Sequence, residues 1–348
     1  MKPSRCLSIL LAPLALLAAG CQSGRPHDTI TFAVLSNILV SQTQADGRPE
    51  ALWHSAPDRL ARAIQEINGL DDVRFVVLHG NLIGDGRSRS LDRVNAALGE
   101  LAKPYFVVLG PEGLSGDHPS EDGAAPAGGN ISRPETIGRS LLVWGFREHG
   151  FQGPQAYWAA DVEAGVMLVA LDTAQQGTGR PGRVDAAQLR WLDETLAAHQ
   201  QQAVVLLAYH ALVSLHPFDD TYFWAGHLVG NRQDVLDVLS RHRNVLMVLS
   251  ASHGLAAGKV VGNVIHASVP ALSVWPLAYD LVRMTPQRIE CQYVPVGTDD
   301  ETREAFDRLV ADSTVRALFG GSPESEDQIV RVFGGRKVLT WNLATFGP

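Results

Sequence analysis

A layered α/β protein, with sheets buried between helices, is what the sequence predicts from residue 30 onward, on three observations. Short uninterrupted apolar runs recur along the chain, and stretches of helical period separate them. The composition, 45% hydrophobic and 19% charged over 348 residues, supplies apolar material for a sizeable core. A strand exposed on one face would alternate apolar and polar residues, so unbroken runs imply strands covered on both faces.

The first strand is expected over 30–35. Leu60, Ile64 and Ile67 then mark one face of a helix, and 75–78 is the second strand. Leu91, Val94, Leu98 and Leu101 form the next helical stripe, behind Ser90 as the expected N-cap. A strand over 105–109 leads into residues 110–134, rich in Gly, Pro, Ser and Asp, too long for an ordinary connection and therefore functional or disordered. After a strand at 166–171, Asp185 and Gln188 resemble a capping box that opens the helix carrying Leu189, Leu192 and Leu196. Strands at 203–209 and 245–249 flank the stripe Val235, Leu236 and Leu239. Beyond residue 259 the pattern turns to shorter strands, including a hairpin of Leu281–Met284 with Arg288–Val294 across Thr285-Pro286-Gln287, and then a helical tail from about residue 302. There is no internal repeat.

Charge and hydropathy exclude two classes. With 29 Lys+Arg against 37 Asp+Glu, a net charge of -8 and no basic block, the chain offers nothing to a nucleic-acid backbone. No apolar run reaches the roughly 18 residues of a membrane span, so a polytopic membrane protein is excluded. The N-terminus reads as an address: Lys2 and Arg5 form a basic region, Leu7 to Leu17 an apolar one, and Leu17-Ala18-Ala19-Gly20 brings small residues to Cys21. This resembles the lipobox of bacterial lipoproteins, although Ala18 stands where Leu is commoner. The resemblance implies cleavage before Cys21, acylation of Cys21, and attachment to the membrane through it. The competing reading is an ordinary secretory signal with a chance cysteine. Lipidation of Cys21 and loss of Cys6 would leave Cys291 as the one remaining thiol, with no internal disulfide possible. The expected organisation is a signal at 1–20, a lipidated Cys and tether at 21–29, a main domain at 30–300 and a C-terminal helical extension at 301–348.

In open α/β sheets, ligands gather beyond the carboxyl ends of the strands. The segments there are Ser36-Asn37-Ile38-Leu39, His79-Gly80-Asn81, Leu109-Gly110-Pro111-Glu112-Gly113, Tyr209-His210 and Ser250-Ala251-Ser252-His253-Gly254. In that order and spacing they resemble the calcineurin-like metallophosphoesterases, over about 30–295, with Leu171-Asp172-Thr173 and Gln188-Leu189-Arg190-Trp191-Leu192 in support. The resemblance implies a four-layer α/β/β/α sandwich and a site where two divalent cations clamp a phosphate and generate hydroxide.

Carried over position by position, the family's first Asp and His become Asn37 and Leu39, and its bridging Asp becomes Asn81. Its Asn ligand and adjacent His become Pro111 and Glu112. The lone His is kept as His210, and the two His of the last motif become Ser252 and Gly254. One good ligand of seven remains. Two cations bring +4 into a partly dry cleft, and both carboxylates that would offset them are neutral amides here. The sequence therefore predicts a lipid-anchored envelope protein that keeps this fold without its dinuclear centre, needs no cofactor, and binds or scaffolds an envelope protein or small ligand. Because Gln22 rather than Asp follows Cys21, the outer membrane is the expected location in a Gram-negative cell. The alternative is an active phosphomonoester or phosphodiester hydrolase using Mn, Fe or Zn at a relocated or mononuclear site. That site would draw on His79, Glu112, His210, His253 and Asp219 or Asp220. A purely structural lipoprotein is the third reading. The aromatic residues Tyr157 and Trp158 suit packing, whereas Phe218 to Trp224 could rim the cleft.

Overall fold

The computed structural model describes residues 25–42, 50–111, 156–174, 181–216, 218–221, 225–318 and 338–345. The expected signal, Cys21 and most of the long segment 110–134 lie outside these residues. The first sheet contains β1 (Ile30–Ser36), β2 (Val73–Gly80), β3 (Tyr105–Leu109), β10 (Ala278–Met284), β11 (Arg288–Pro295) and β12 (Val338–Asn342), in the order β12-β11-β10-β1-β2-β3. The second contains β4 (Trp158–Asp161), β5 (Val166–Leu171), β6 (Ala203–Ala208), β7 (Val245–Ser250), β8 (Ala257–Val261) and β9 (Val264–Ser268), in the order β4-β5-β6-β7-β9-β8. Strands β1, β2 and β3 run parallel, as do β5, β6, β7 and β9. All their carboxyl ends consequently lie at one pole of the sandwich, here termed apical.

The uninterrupted apolar runs have the predicted cause. Along β5 and β6, Leu168, Ala170, Val205 and Leu207 join the core between the sheets, while the alternate residues Val169, Leu171, Val204 and Leu206 pack under helices. Those helices are α3 (Ala186–Ala198), which contributes Leu192 and Leu196, and α4 (Arg232–Leu239), which contributes Val235, Val238 and Leu239. On the other sheet, α1 (Ala56–Asn68) and α2 (Ser88–Leu98) bury Leu60, Ile64, Ile67, Leu91, Val94 and Leu98. The result is the four-layer α/β/β/α sandwich, with the six expected strands in place.

Three local expectations are corrected. Ser90 lies inside α2, whose N-cap is Arg87. Its hydroxyl donates to Asp85 Oδ2 (2.9 Å), and Asp85 also accepts the backbone N–H of Arg87 (3.1 Å), so the carboxylate, not the serine, organises this helix start. Only half of the capping box at α3 forms: Asp185 accepts the Gln188 N–H (2.8 Å), but the Gln188 side chain turns to the backbone of Asp172, accepting at 2.7 Å and donating at 3.1 Å. The C-terminal extension is not purely helical. After α5 (Asp299–Ala311) and α6 (Ser313–Leu318) the chain returns as β12, which pairs antiparallel with β11.

A full capping box of Thr298 and Glu301 starts α5. Glu301 also pairs with the buried guanidinium of Arg59 (3.0 Å) and with Arg62, so the acid that caps α5 docks it on α1. Burial lowers the Arg59 pKa, opposed chiefly by Glu301. The expected aromatic packing is present. Trp158 is buried, stacks on Phe106 and donates its indole N–H to the Val107 carbonyl (2.9 Å), while Tyr157 packs on Trp191. Phe218, partly buried, packs with Leu255, Leu309 and Val315 beside α5 and α6, and Tyr222, Phe223 and Trp224 lie outside the described residues.

Candidate functional site

At the apical ends of β1 and β2 the chain turns through left-handed conformations: Asn37 (φ 44), Leu39 (φ 54) and Gly80 (φ 108). These turns direct two amides at each other. Asn81 Nδ2 donates to Asn37 Oδ1 (3.1 Å) and to the Tyr209 hydroxyl (2.8 Å), and that hydroxyl lies 3.4 Å from Asn37 Oδ1. Asn37 Nδ2 is committed elsewhere, to the Ala251 carbonyl at 2.7 Å, which ties β1 to the end of β7. All three side chains are buried.

Close packing seals this network. Gly80 lies against the Tyr209 ring, where any Cβ would sit 2.7 Å from Cε2, and a Cβ at Gly110 would run into Asn81 Oδ1. Tyr209 thus fills the space between the strand ends of both sheets. The sequence places this residue beside His210 but gives no sign of its role, because the partners lie 128 and 172 positions away.

The remaining positions disperse. Leu39 is fully buried in an apolar cluster with Ala51, Ala271 and Val274. Pro111 is half-buried and offers no side-chain donor, and Glu112 lies outside the described residues. Gly254 (φ 67) approaches Ala271, where a Cβ would meet the alanine methyl at 3.0 Å. His210 is buried against Gly182. Thr173 Oγ1 accepts its backbone N–H (3.2 Å) and sits 2.9 Å from Nδ1.

Beyond β6 and β7 a second polar group forms, in which His216 and His227 join residues that the sequence had singled out. Ser252 Oγ is 2.9 Å from His227 Nδ1, and the His227 ring stacks on His253 (4.9 Å between centroids), which also faces His216 (4.9 Å). The Nε2 of His253 pairs with Asp219 Oδ1 at 2.7 Å. Asp219 Oδ2 accepts the N–H groups of Leu215 (2.6 Å) and His216 (3.0 Å). Burial alone would raise the Asp219 pKa, but the His253 and His216 interactions prevail and hold it below the usual carboxylate value. Asp220 is exposed and accepts from Ser214 (2.9 Å).

Of the relocated ligand set, His253 and Asp219 meet, and Glu112 lies outside the described residues. His79 sits on β2, fully buried, with its pKa lowered to about 3 by burial, which the Ala208 backbone opposes. The imidazole is therefore neutral. His210 is held by Thr173, and His253 by Asp219. Among the described residues no three His, Cys, Asp or Glu side chains converge as a metal-holding group. Nor does the position-by-position set fit two divalent cations: two mutually bonded amides, a leucine in an apolar cluster, a proline and a glycine bring neither charge nor enough side-chain donors.

No family model and no curated protein matches the chain. Among solved structures it is similar to a dimetal phosphatase from Danio rerio, at 16% identity with a TM-score of 0.61, over 78% of this chain and 97% of that one. Weaker likenesses are to a purple acid phosphatase from yellow lupin seeds (15% identity, 79% of this chain, 53% of that one, TM-score 0.48) and to PhoD (12%, 78%, 66%, 0.46). At such identities the likeness is one of fold, and the fold is that of the calcineurin-like metallophosphoesterases.

Proposed function

We propose that this chain is a lipid-anchored bacterial envelope protein that retains the phosphoesterase fold and has exchanged dinuclear metal catalysis for binding or scaffolding. One observation carries the reading. Where the resemblance calls for carboxylates to offset two cations, Asn37 and Asn81 bond to each other and to Tyr209 in a buried, neutral network. Asn for Asp keeps the shape and hydrogen bonding of these turns while deleting the charge that would draw a cation. The network stabilises the ends of both sheets, so the apical pole keeps its form without a metal.

The alternative, a phosphoester hydrolase with a relocated or mononuclear metal, would have to rearrange the contacts that join His253 to Asp219, His216 and His227 beside Ser252. Metal analysis of the purified protein, with phosphodiester and phosphomonoester turnover in the presence and absence of chelator, separates the two. Trace metal and no chelator-sensitive turnover are expected. One or two metals per chain, with turnover abolished by EDTA and by His253→Ala, would overturn the proposal.

A further inference from the structure

The topology fixes where the anchor leaves the body. Arg25 donates to the Leu343 carbonyl (3.1 Å) just beyond β12, and His27 N–H donates to the Ala164 carbonyl (2.7 Å) in the turn before β5. Both contacts lie at the pole opposite the Asn37–Asn81–Tyr209 network, because β5 begins there and the antiparallel β12 ends there. Cys21 is four positions before Arg25, a reach of at most about 14 Å.

The same pole carries a hairpin tip of unusual character. Strand β8 is the edge of its sheet and runs down to Val261, and β9 returns from Val264 across Gly262 (φ 60) and Asn263. Among the described residues the exposed large hydrophobics are Val260, Val261 and Val338, and the two valines of this tip are each 40% exposed. Nothing lies within 4 Å of a Cβ built on Gly262, and Lys259 stands exposed just above. The tip and the anchor exit share one side of the sandwich: Trp341, two residues before Leu343, packs on Gly258 of β8. A cavity of about 490 Å³ beside the tip is lined by Leu236, Val261 and Val264 together with polar residues that include Asp237 and Arg243. A protein expected to carry -10 after loss of Lys2 and Arg5 gains little from general attraction to anionic lipid, so geometry and apolar contact must set its orientation.

We propose that this basal pole is a membrane-apposed face, with the Val260-Val261-Gly262 tip seated in the lipid headgroup region, so that the apical pole opens away from the bilayer. The inference rests on lipidation of Cys21. Asn263 and Asp300 are both exposed, at the basal tip and the apical start of α5, and Cys291 is buried, so Asn263→Cys and Asp300→Cys each offer a dye one accessible thiol. The full lipidated chain would be placed in phosphatidylethanolamine–phosphatidylglycerol vesicles containing headgroup nitroxide lipid. Blue-shifted emission and at least threefold stronger quenching at 263 than at 300 are expected, with the difference lost in Val260→Asp/Val261→Asp. A parent that floats with the vesicles while the probe at 263 stays in water, or is quenched no more than at 300, overturns the apposition alone. A parent that carries no lipid and does not float overturns the anchoring reading and the apposition with it.

Discussion

Asn81→Asp tests the central network with the smallest available change. Asn81 Nδ2 donates to Asn37 Oδ1 (3.1 Å) and to the Tyr209 hydroxyl (2.8 Å). The carboxylate keeps the shape but has no proton to give. Tyr209 can turn its own proton toward it, yet the Asn37 contact becomes oxygen against oxygen. Asn37 has no ready escape, since flipping its amide would break the bond from Nδ2 to Ala251. The Asn81–Asn37 bond is lost, and with it the long 3.4 Å bond from the Tyr209 hydroxyl to Asn37 Oδ1, at about 1 kcal/mol for the first and less for the second, and an acceptor left facing another acceptor in a buried place adds about 1–3 kcal/mol. Burying the charge beside no cation adds more, by raising the carboxyl pKa at about 1.4 kcal/mol per unit. A destabilisation of about 3–5 kcal/mol is expected at pH 8. Because the folded-state pKa of the new acid is raised, the penalty shrinks as pH falls toward its unfolded value of about 3.9, where the protonated group can donate to Asn37 Oδ1 again. Urea unfolding of parent and variant at pH 5 and pH 8 reads this directly, and manganese should not restore the variant at pH 8. A deficit below about 1 kcal/mol at both pH values would refute the sealed network. Full rescue by manganese would show that a cation site persists beneath it.

Asp280 makes the converse test. It points with Val282 and Met284 into the space between the sheets, and burial pushes its pKa up to about 8. Such a group favours folding fully below its unfolded pKa, and that contribution is lost as pH rises through the folded value, so Asp280→Asn should stabilise by on the order of 3–5 kcal/mol at pH 8 and much less at pH 5; identical pH profiles for parent and variant would contradict it. Cys291 is buried, and its thiol pKa is raised well above the usual value by burial, then by Asp280 and Glu290. It should resist alkylation in the native protein and give one thiol per mature chain after denaturation without reductant; a disulfide-linked dimer through it would count against this.

The strands were legible because their signal is local and redundant. A run such as Val204-Val205-Leu206-Leu207 must be covered on both sides to be tolerated, and only a sheet between layers does that. The strand β12 was not legible. Val338-Leu339-Thr340-Trp341-Asn342 is half exposed, and its conformation comes from pairing with β11, some fifty positions earlier. The Ser90 cap failed for a related reason: sequence offers several polar residues before an apolar stripe, and only the position of Asp85 decides between them.

For the candidate site, identity was legible and arrangement was not. That Asn37, Leu39, Pro111 and Gly254 bring no charged donor follows from their side chains alone. That two amides would lock onto a tyrosine does not, because it depends on β6 of one sheet delivering Tyr209 to the ends of β1 and β2 in the other. His227 and His216 were missed likewise, since each gains meaning only from Ser252 and His253 across a folded loop. This separates two kinds of loss. Replacing a metal ligand by any poor donor empties a site; replacing it by a residue that finds a new buried partner also stabilises the emptied form. On the reading proposed above, Asn81 is of the second kind: the conformation it stabilises, with Gly80 and Gly110 closed on Tyr209 and the amide, is one into which a cation could enter only by breaking bonds already made.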